Sequence, residues 1–291
     1  MASKSFDQYT GTIWYDNKMI NWQDASVHVM THGLHYASTV FEGERAYNGK
    51  IFELEQHSKR LIASAKLLDY DIPYDLDTIM DATKQVLEIN KIKDGYIRPI
   101  AWRGSEMMGV SAQKNTIHMA IACWEWPSYF TPEARMAGLK LQIAKWRRPD
   151  PMTAPTNSKA AGLYMICTLS KHEAERQGFN DALMLDWRGY VAEATGANIF
   201  FLMKDGKIHT PKPDCFLDGI TRRTVIKLAQ QHGFEVVERH IKPEEMADAT
   251  EAFLTGTAVE VTPIASIADY KFQPAHCCKT LIDAYDQAVR A

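Results

Sequence analysis

Several quick signposts are missing from this chain of 291 residues. It has five cysteines, an odd number with no paired CxxC spacing, so no disulfide framework is indicated and a reduced cytoplasmic setting is the economical expectation. Neither sign of charge dominates: 33 basic residues stand against 36 acidic ones, a net charge of −3. Without a basic stripe, nucleic acid is not an expected partner. No apolar run is long enough to span a bilayer, so no membrane is expected. Met1 to Tyr15 is polar and lacks the apolar stretch of a signal peptide. No G-x-G-x-x-G follows a strand pattern and no G-x-x-x-x-G-K-[ST] occurs, which removes both nucleotide-binding motifs. Internal repeats are absent as well. What remains has an ordinary globular composition, 46% hydrophobic and 24% charged, at a length that suggests about two domains.

Turn signals and periodicity divide the chain. Thr12 to Trp22 reads as two strands around Asp16-Asn17, and Val40 to Leu54 as two more around Asn48-Gly49, the strongest short hairpin signal present. Helical spacing covers Gln56 to Leu68 and Leu76 to Ile92. Strand patterns follow at Tyr96 to Trp102 and Ile117 to Trp124. Arg147-Arg148-Pro149-Asp150-Pro151 breaks both periodicities, and a junction falls ahead of it, around residues 130–138. A helix is expected over about 161–177 with Gly178 as its C-cap. Hairpins follow at Arg188-Gly189 and Asp205-Gly206, a helix from near Thr221, and a C-terminal helix through Leu281 to Arg290. Regular βαβ alternation is missing, which predicts an α+β fold with antiparallel or mixed sheets. The expected division is a smaller N-terminal domain over 1–133, an interdomain segment over 134–148, and a larger domain over 149–291.

Chemistry concentrates at Asn157-Ser158-Lys159-Ala160-Ala161-Gly162, with Tyr164 close behind and Glu193 further on. A lysine acts as a covalent catalyst only where a flat electrophile can dock beside it, and these small flanks leave that room. Tyr164 can donate to a phenolate oxygen, and Glu193 can keep a ring nitrogen protonated. Those roles suit pyridoxal phosphate. The bland alternative is a solvated surface lysine. Lys140, Lys145 and Lys171 lack the small flanks and the phenol spacing. Three segments could take a phosphate: the helix start at Leu217-Asp218-Gly219-Ile220-Thr221, the turn Thr255-Gly256-Thr257-Ala258, and the Arg60 guanidinium. Singly, each is more often an ordinary cap, turn or surface arginine.

The ordered set Phe41-Glu42-Gly43, Arg60, Tyr96-Ile97-Arg98-Pro99, Lys159-Ala160-Ala161-Gly162-x-Tyr164, Glu193-x-x-x-x-Asn198, Leu217-Asp218-Gly219-Ile220-Thr221 and Gly256-Thr257-Ala258 resembles the class IV, fold-type IV aminotransferases, nearest to their bacterial branched-chain group. The resemblance runs from about Trp14 to Ile264. It implies a two-domain fold with pyridoxal phosphate in the interdomain cleft. It further implies reversible ping-pong amino transfer between L-leucine, L-isoleucine or L-valine and 2-oxoglutarate. Lys159 would carry the cofactor and move the proton, Glu193 would meet the pyridine nitrogen, and Tyr164 the ring oxygen. Arg60, Gly219, Ile220, Thr221, Gly256 and Thr257 would hold the phosphate, with Leu217 against the ring.

On the substrate side, Tyr96 and Arg98 are two apart on a strand and share a face. By resemblance, Arg98 receives a distal carboxylate, while Thr257, Ala258 and Tyr96 hold the α-carboxylate. Phe41 and Gly43 line an apolar pocket that Tyr36, Met108, Trp126 and Tyr129 complete, Tyr36 and the Met107-Met108-Gly109-Val110 loop reaching in from a neighbouring subunit. Relatives are dimers or trimers of dimers, so a homodimer or hexamer is expected.

Alternatives within the fold are transfer from D-amino acids or (R)-amines, and aminodeoxychorismate lysis; outside it stands a cofactor-free interaction protein. His28, His32 and His35 are close enough to suggest a metal, but strand and loop alternation explains them and no metal is expected. Cys277-Cys278 reads as helix packing and Glu125 as a solvated strand end. Glu44 stands where many relatives have an apolar residue; its parity puts it opposite Phe41 and Gly43, with little effect expected on the pocket.

Overall fold

Backbone preferences at two turns begin the first sheet. Asp16 and Asn17 both take positive φ, 44° and 63°, the geometry that a two-residue hairpin turn between right-twisted strands requires. They join β1 (Thr12–Tyr15) to β2 (Lys18–Asn21), and Trp22 continues into a 3₁₀ turn. Asn48, at φ 51°, likewise joins β4 (Glu44–Tyr47) to β5 (Lys50–Ile51). The computed structural model describes residues 5–126 and 135–291.

The chain divides into two compact units, Met1–Pro127 with Ser158–Gly162, and Ser128–Asn157 with Leu163–Ala291. The first unit has an antiparallel sheet in the order β2-β1-β7-β6-β4-β5, where β6 is Gly95–Arg103 and β7 is Ile117–Glu125. The expected strand after Val40 is split: β3 (Thr39–Phe41) pairs with one half of β6 and β4 with the other, leaving Glu42-Gly43 at the break. The Glu42 amide still donates to the Pro99 carbonyl at 2.8 Å, so the chain stays extended through the break. Helices α2 (Leu54–Leu67) and α3 (Leu76–Ile89) cover one face. There Leu61, Ile79, Val86, Ile97 and Met119 are buried together. Asp75 caps α3 by accepting from the Thr78 amide. The short α1 (His32–Tyr36) precedes β3.

The second unit holds a mixed sheet. β9 (Asp181–Leu185), β10 (Val191–Ala194) and β11 (Asn198–Met203) carry the expected hairpins, and β12 (Ile208–Pro211) follows. The stretch expected to link the domains contributes β8 (Leu139–Ile143), which runs parallel to both β9 and β15 (Glu260–Ile267). With β14 (Ala249–Gly256) beside β15, the pairing of β10 with β11 closes these strands into a ring and removes their free edges. β13 (Val236–Arg239) adds parallel to β12. The helix expected over 161–177 begins as a 3₁₀ turn, Ala161–Tyr164, and continues as α4 (Met165–Arg176), stopped where Gly178 takes φ 82°. α5 is Ile220–Gln231 and α6 is His276–Ala288. Glu251 on β14 caps α6, accepting from the amides of Ala275, Cys277 and Cys278 at 2.8–3.0 Å. All five cysteines are free and buried. Among the described residues, no helix is long and apolar enough to cross a membrane.

Candidate active site

In the first unit the lysine segment is fastened by its backbone. The Lys159 amide donates to Ser64 Oγ at 3.0 Å, and the Phe41 amide donates to the Lys159 carbonyl at 3.2 Å. The Ser158 hydroxyl donates to the Ser64 carbonyl, and Ala160 bridges to Val40. With its main chain held by α2 and β3, Lys159 directs Nζ to 5.0 Å from the Phe41 ring centre. A side chain at Gly162 would press on Ala37 at 3.1 Å, so the small flanks reflect crowding on the backbone side of the lysine.

Arg60, one α2 residue facing the β3–β4 break, is oriented by Glu42. Its Nε and Nη2 donate to the two Glu42 oxygens at 2.6 and 2.8 Å, a bidentate fork. His57 Nδ1 lies 2.7 Å from the same carboxylate. Burial pushes the Glu42 carboxyl up, but Arg60 and His57 more than reverse it, holding the group well below the usual carboxylate range. Burial likewise lowers His57 despite its bond to Glu42, so the imidazole is the neutral donor.

Gly43 and Tyr96 meet on the opposite face. A Cβ at Gly43 would lie 1.9 Å from the Tyr96 hydroxyl, so the phenol passes directly over the glycine. Tyr96 is wedged against Trp124 and Trp126, with ring centres at 5.0 and 5.2 Å. Arg98 donates to its hydroxyl at 3.1 Å and lies over the Phe41 ring at 4.8 Å. The result is an aromatic wall that carries the Arg98 guanidinium, with Arg45 on the same face donating to the Trp126 carbonyl at 3.4 Å.

The second unit has its own set. Strand register places Glu193, Asn198 and Thr255 opposite one another on β10, β11 and β14, and paired residues share a sheet face. Asn198 Nδ2 donates to Glu193 and to the Leu217 carbonyl, at 3.2 and 3.0 Å. Arg148, 4% exposed, brings Nε to 3.3 Å from Glu193. Burial works against the arginine's charge, but Glu193 raises its pKa beyond that loss, leaving a buried ion pair. Tyr164 lies close enough to act on the same arginine and packs with Cys167 and Met184. Gly219 opens α5 with no side-chain cap, so the first-turn amides remain available to an anion. A Cβ at Gly219 would strike Asn198 Oδ1 at 2.2 Å, which is why glycine stands there. Thr255 Oγ1 is buried with no hydrogen-bond partner among the described residues. A bare helix start, an orphaned hydroxyl and an ionised carboxylate in one unit fit an anionic heterocycle.

The expected residues thus fall into two groups. Lys159, Arg60, Phe41, Gly43, Tyr96, Arg98, Tyr36, Met108 and Trp126 belong to the first unit; Tyr164, Glu193, Leu217, Gly219, Ile220, Thr221, Gly256, Thr257 and Ala258 belong to the second. Tyr129 lies outside the described residues. Arg148, His57 and Ser64 lie outside the expected site residues. Asn198 and Thr255 stand within the expected motifs but without an assigned role; the two-residue turn Thr195-Gly196 sets Asn198 opposite Glu193. The three histidines have separate partners: His32 bonds Ser38 and the Gly109 carbonyl, His35 the Val29 carbonyl, and His28 the Met30 amide. Asp186, Asp214 and Cys215 do cluster, but Arg188 donates to both carboxylates at 2.7 and 3.0 Å and supplies their counter-charge.

The two-unit α+β architecture is that of the fold-type IV enzymes. The chain belongs to the family of class IV aminotransferases, whose model matches residues 39–267. It is 45% identical over 255 residues to a probable branched-chain-amino-acid aminotransferase of Rickettsia bellii, covering 88% of this chain and 86% of that protein. The Pseudomonas aeruginosa branched-chain-amino-acid aminotransferase is 44% identical over 261 residues, covering 88% and 85%. The crystal structure of the branched-chain amino acid aminotransferase from Thermobaculum terrenum, in its PLP-bound form, superposes with a TM-score of 0.88 at 33% identity, over 97% of this chain and 95% of that one.

Proposed function

We propose that this protein transfers amino groups reversibly between branched-chain L-amino acids and 2-oxoglutarate, with pyridoxal phosphate as cofactor. The observation that carries the substrate assignment is Arg98 set on the Phe41–Tyr96 wall. An aliphatic side chain meets the rings, and the distal carboxylate of an acidic substrate meets the guanidinium. The branched-chain names of the relatives in Rickettsia bellii and Pseudomonas aeruginosa support the same reading.

Bound pyridoxal phosphate would supply an aldehyde for the amino group and an electron sink for the charge left at Cα. Lys159 Nζ would hold the cofactor covalently, and the same amine, set free when substrate binds, would serve as the base that moves the substrate's Cα proton to C4′ of the cofactor. Glu193, ion-paired to Arg148, would accept a hydrogen bond from the protonated ring nitrogen and keep it protonated. Tyr164 would donate to the ring oxygen. Arg60, the amides of Ile220 and Thr221, and Thr257 would hold the phosphate; Leu217 would pack on the ring, and Gly256 would keep its turn open. The amides of Thr257 and Ala258 would receive the α-carboxylate.

We also infer pairing with a second copy, as a dimer or a trimer of dimers. Val29, Leu34 and Tyr36 are 70%, 63% and 47% exposed beside an apolar pocket of about 300 Å³ lined by Val27, Leu34, Ile100 and Trp102. Such a face supports an interface.

The test is spectroscopic. The purified enzyme is mixed separately with L-leucine, L-valine, D-alanine and (R)-1-phenylethylamine while the cofactor band is followed. Conversion to the amine form by the two L-amino acids is expected; conversion by D-alanine alone would defeat the assignment.

A further inference from the structure

Glu44 has no part in the site described above, yet it is fully buried and neither of its oxygens has a hydrogen-bond partner among the described residues. Register shows where it points. It pairs with Ile97 of β6 and so shares that residue's face, with Ala46 two places on. Ile97 and Ala46 both belong to the apolar core under α2 and α3. Glu42, two residues earlier on the extended chain, is on the same side, where Arg60 and His57 of α2 reach it.

The charged groups that act on Glu44 are therefore Glu42 on its own chain and Arg60 from α2, with His57 attached to the same Glu42 carboxylate. β6 and α3 bring Ile97, Ile79 and Val86, none of them titratable. The other titratable members of this core have partners elsewhere: Tyr70 gives its hydroxyl to the Ala101 carbonyl, the Cys123 thiol of β7 donates to the Val86 carbonyl, and Tyr74 packs its ring edge-on against Trp14. An unpartnered carboxylate in an apolar core is costly, so the group keeps its proton. Burial and the Glu42 charge both act in that direction, and Arg60 opposes them.

We infer that Glu44 is a positioning residue for the phosphate anchor. While it holds its proton, Glu42 is the carboxylate that pairs with Arg60 among the described residues; when it gives the proton up, a second carboxylate engages the same guanidinium, which then holds a dianion less tightly. The inference rests on the reading of Arg60 as the phosphate anchor. By reciprocity, an anion at Arg60 tightens the proton's hold on Glu44.

The experiment measures retention of pyridoxamine 5'-phosphate, which lacks the covalent link to Lys159, by equilibrium dialysis of the amine-form enzyme from about pH 7 to about pH 10. In this range the phosphate is dianionic throughout. Affinity in the wild type should fall with rising pH by about tenfold more than in Glu44→Gln, the fall expected for one unit of linked pKa shift. Superimposable profiles overturn the proposal. Arg60→Lys separates the two readings: unchanged retention removes the anchor itself, whereas weakened retention alongside identical wild-type and Glu44→Gln profiles removes only the role of Glu44. Should Glu44→Gln not fold, Glu44→Ile carries the same expectation. Calorimetry of the wild type in two buffers of different ionisation enthalpy must also show proton uptake on binding in the alkaline range, and its absence overturns the proposal.

Discussion

At Lys159 the surrounding chain does the positioning and leaves the amine to the chemistry. Its carbonyl and amide are both taken, by Phe41 and Ser64, so the side chain starts from a fixed point. Lys159→Ala should lower turnover by at least about 10²–10⁴-fold, the range of a positioned proton-transfer group, and should abolish the cofactor's covalent absorbance. The Arg148–Glu193 pair is a second residue-scale lever. Arg148→Met leaves a buried carboxylate without its counter-charge and should destabilise the protein by about 3 kcal/mol in urea unfolding. Gly43→Ala pushes on a phenol already wedged between two indoles, which should displace the Tyr96 hydroxyl from Arg98. Steady-state kinetics should then show a raised KM for 2-oxoglutarate with a smaller change for leucine.

Elements depend on their ends. Glu251 satisfies three amides at the start of α6 from a strand far away in sequence, and Glu251→Ala should cost about 2 kcal/mol of thermal stability through the buried donors it strands. Such long-range caps mark where sequence reading stops. The hairpins at Asp16-Asn17 and Asn48-Gly49 are legible because their turn residues encode the needed positive φ locally. β8 reads as part of a linker because it has no turn of its own; parallel pairing with β9 and β15 is what makes it a strand. The site divides the same way. Lys159, Tyr164 and Glu193 announce themselves by flanks and spacing, whereas Arg148 sits in a Pro-rich break and gains meaning only from Glu193.

For the whole molecule, two neighbouring carboxyls oppose each other in acid and base. Glu42 has a depressed folded pKa, so its contribution is present above the unfolded value, about 4.3, and disappears as pH falls below it. Glu44 is raised, so the native state loses stability as pH climbs from about 4.3 toward its folded value. Urea titrations across pH should show Glu44→Gln matching wild type in acid and exceeding it increasingly toward neutrality. Association is the other molecular property at stake. Leu34→Glu places a charge on the exposed apolar face and should shift sedimentation toward a smaller species.

The lysine segment also has a history within synthesis. Ser158–Gly162 completes a unit whose other residues end at Pro127, and Ser128–Asn157 goes elsewhere in between. On the ribosome, the first unit therefore emerges with a gap along β3, where the Phe41 amide has no Lys159 carbonyl to meet. It can finish folding only after part of the second unit has been made. A chain interrupted before residue 158 would yield a nearly whole first unit that had never met its nucleophile.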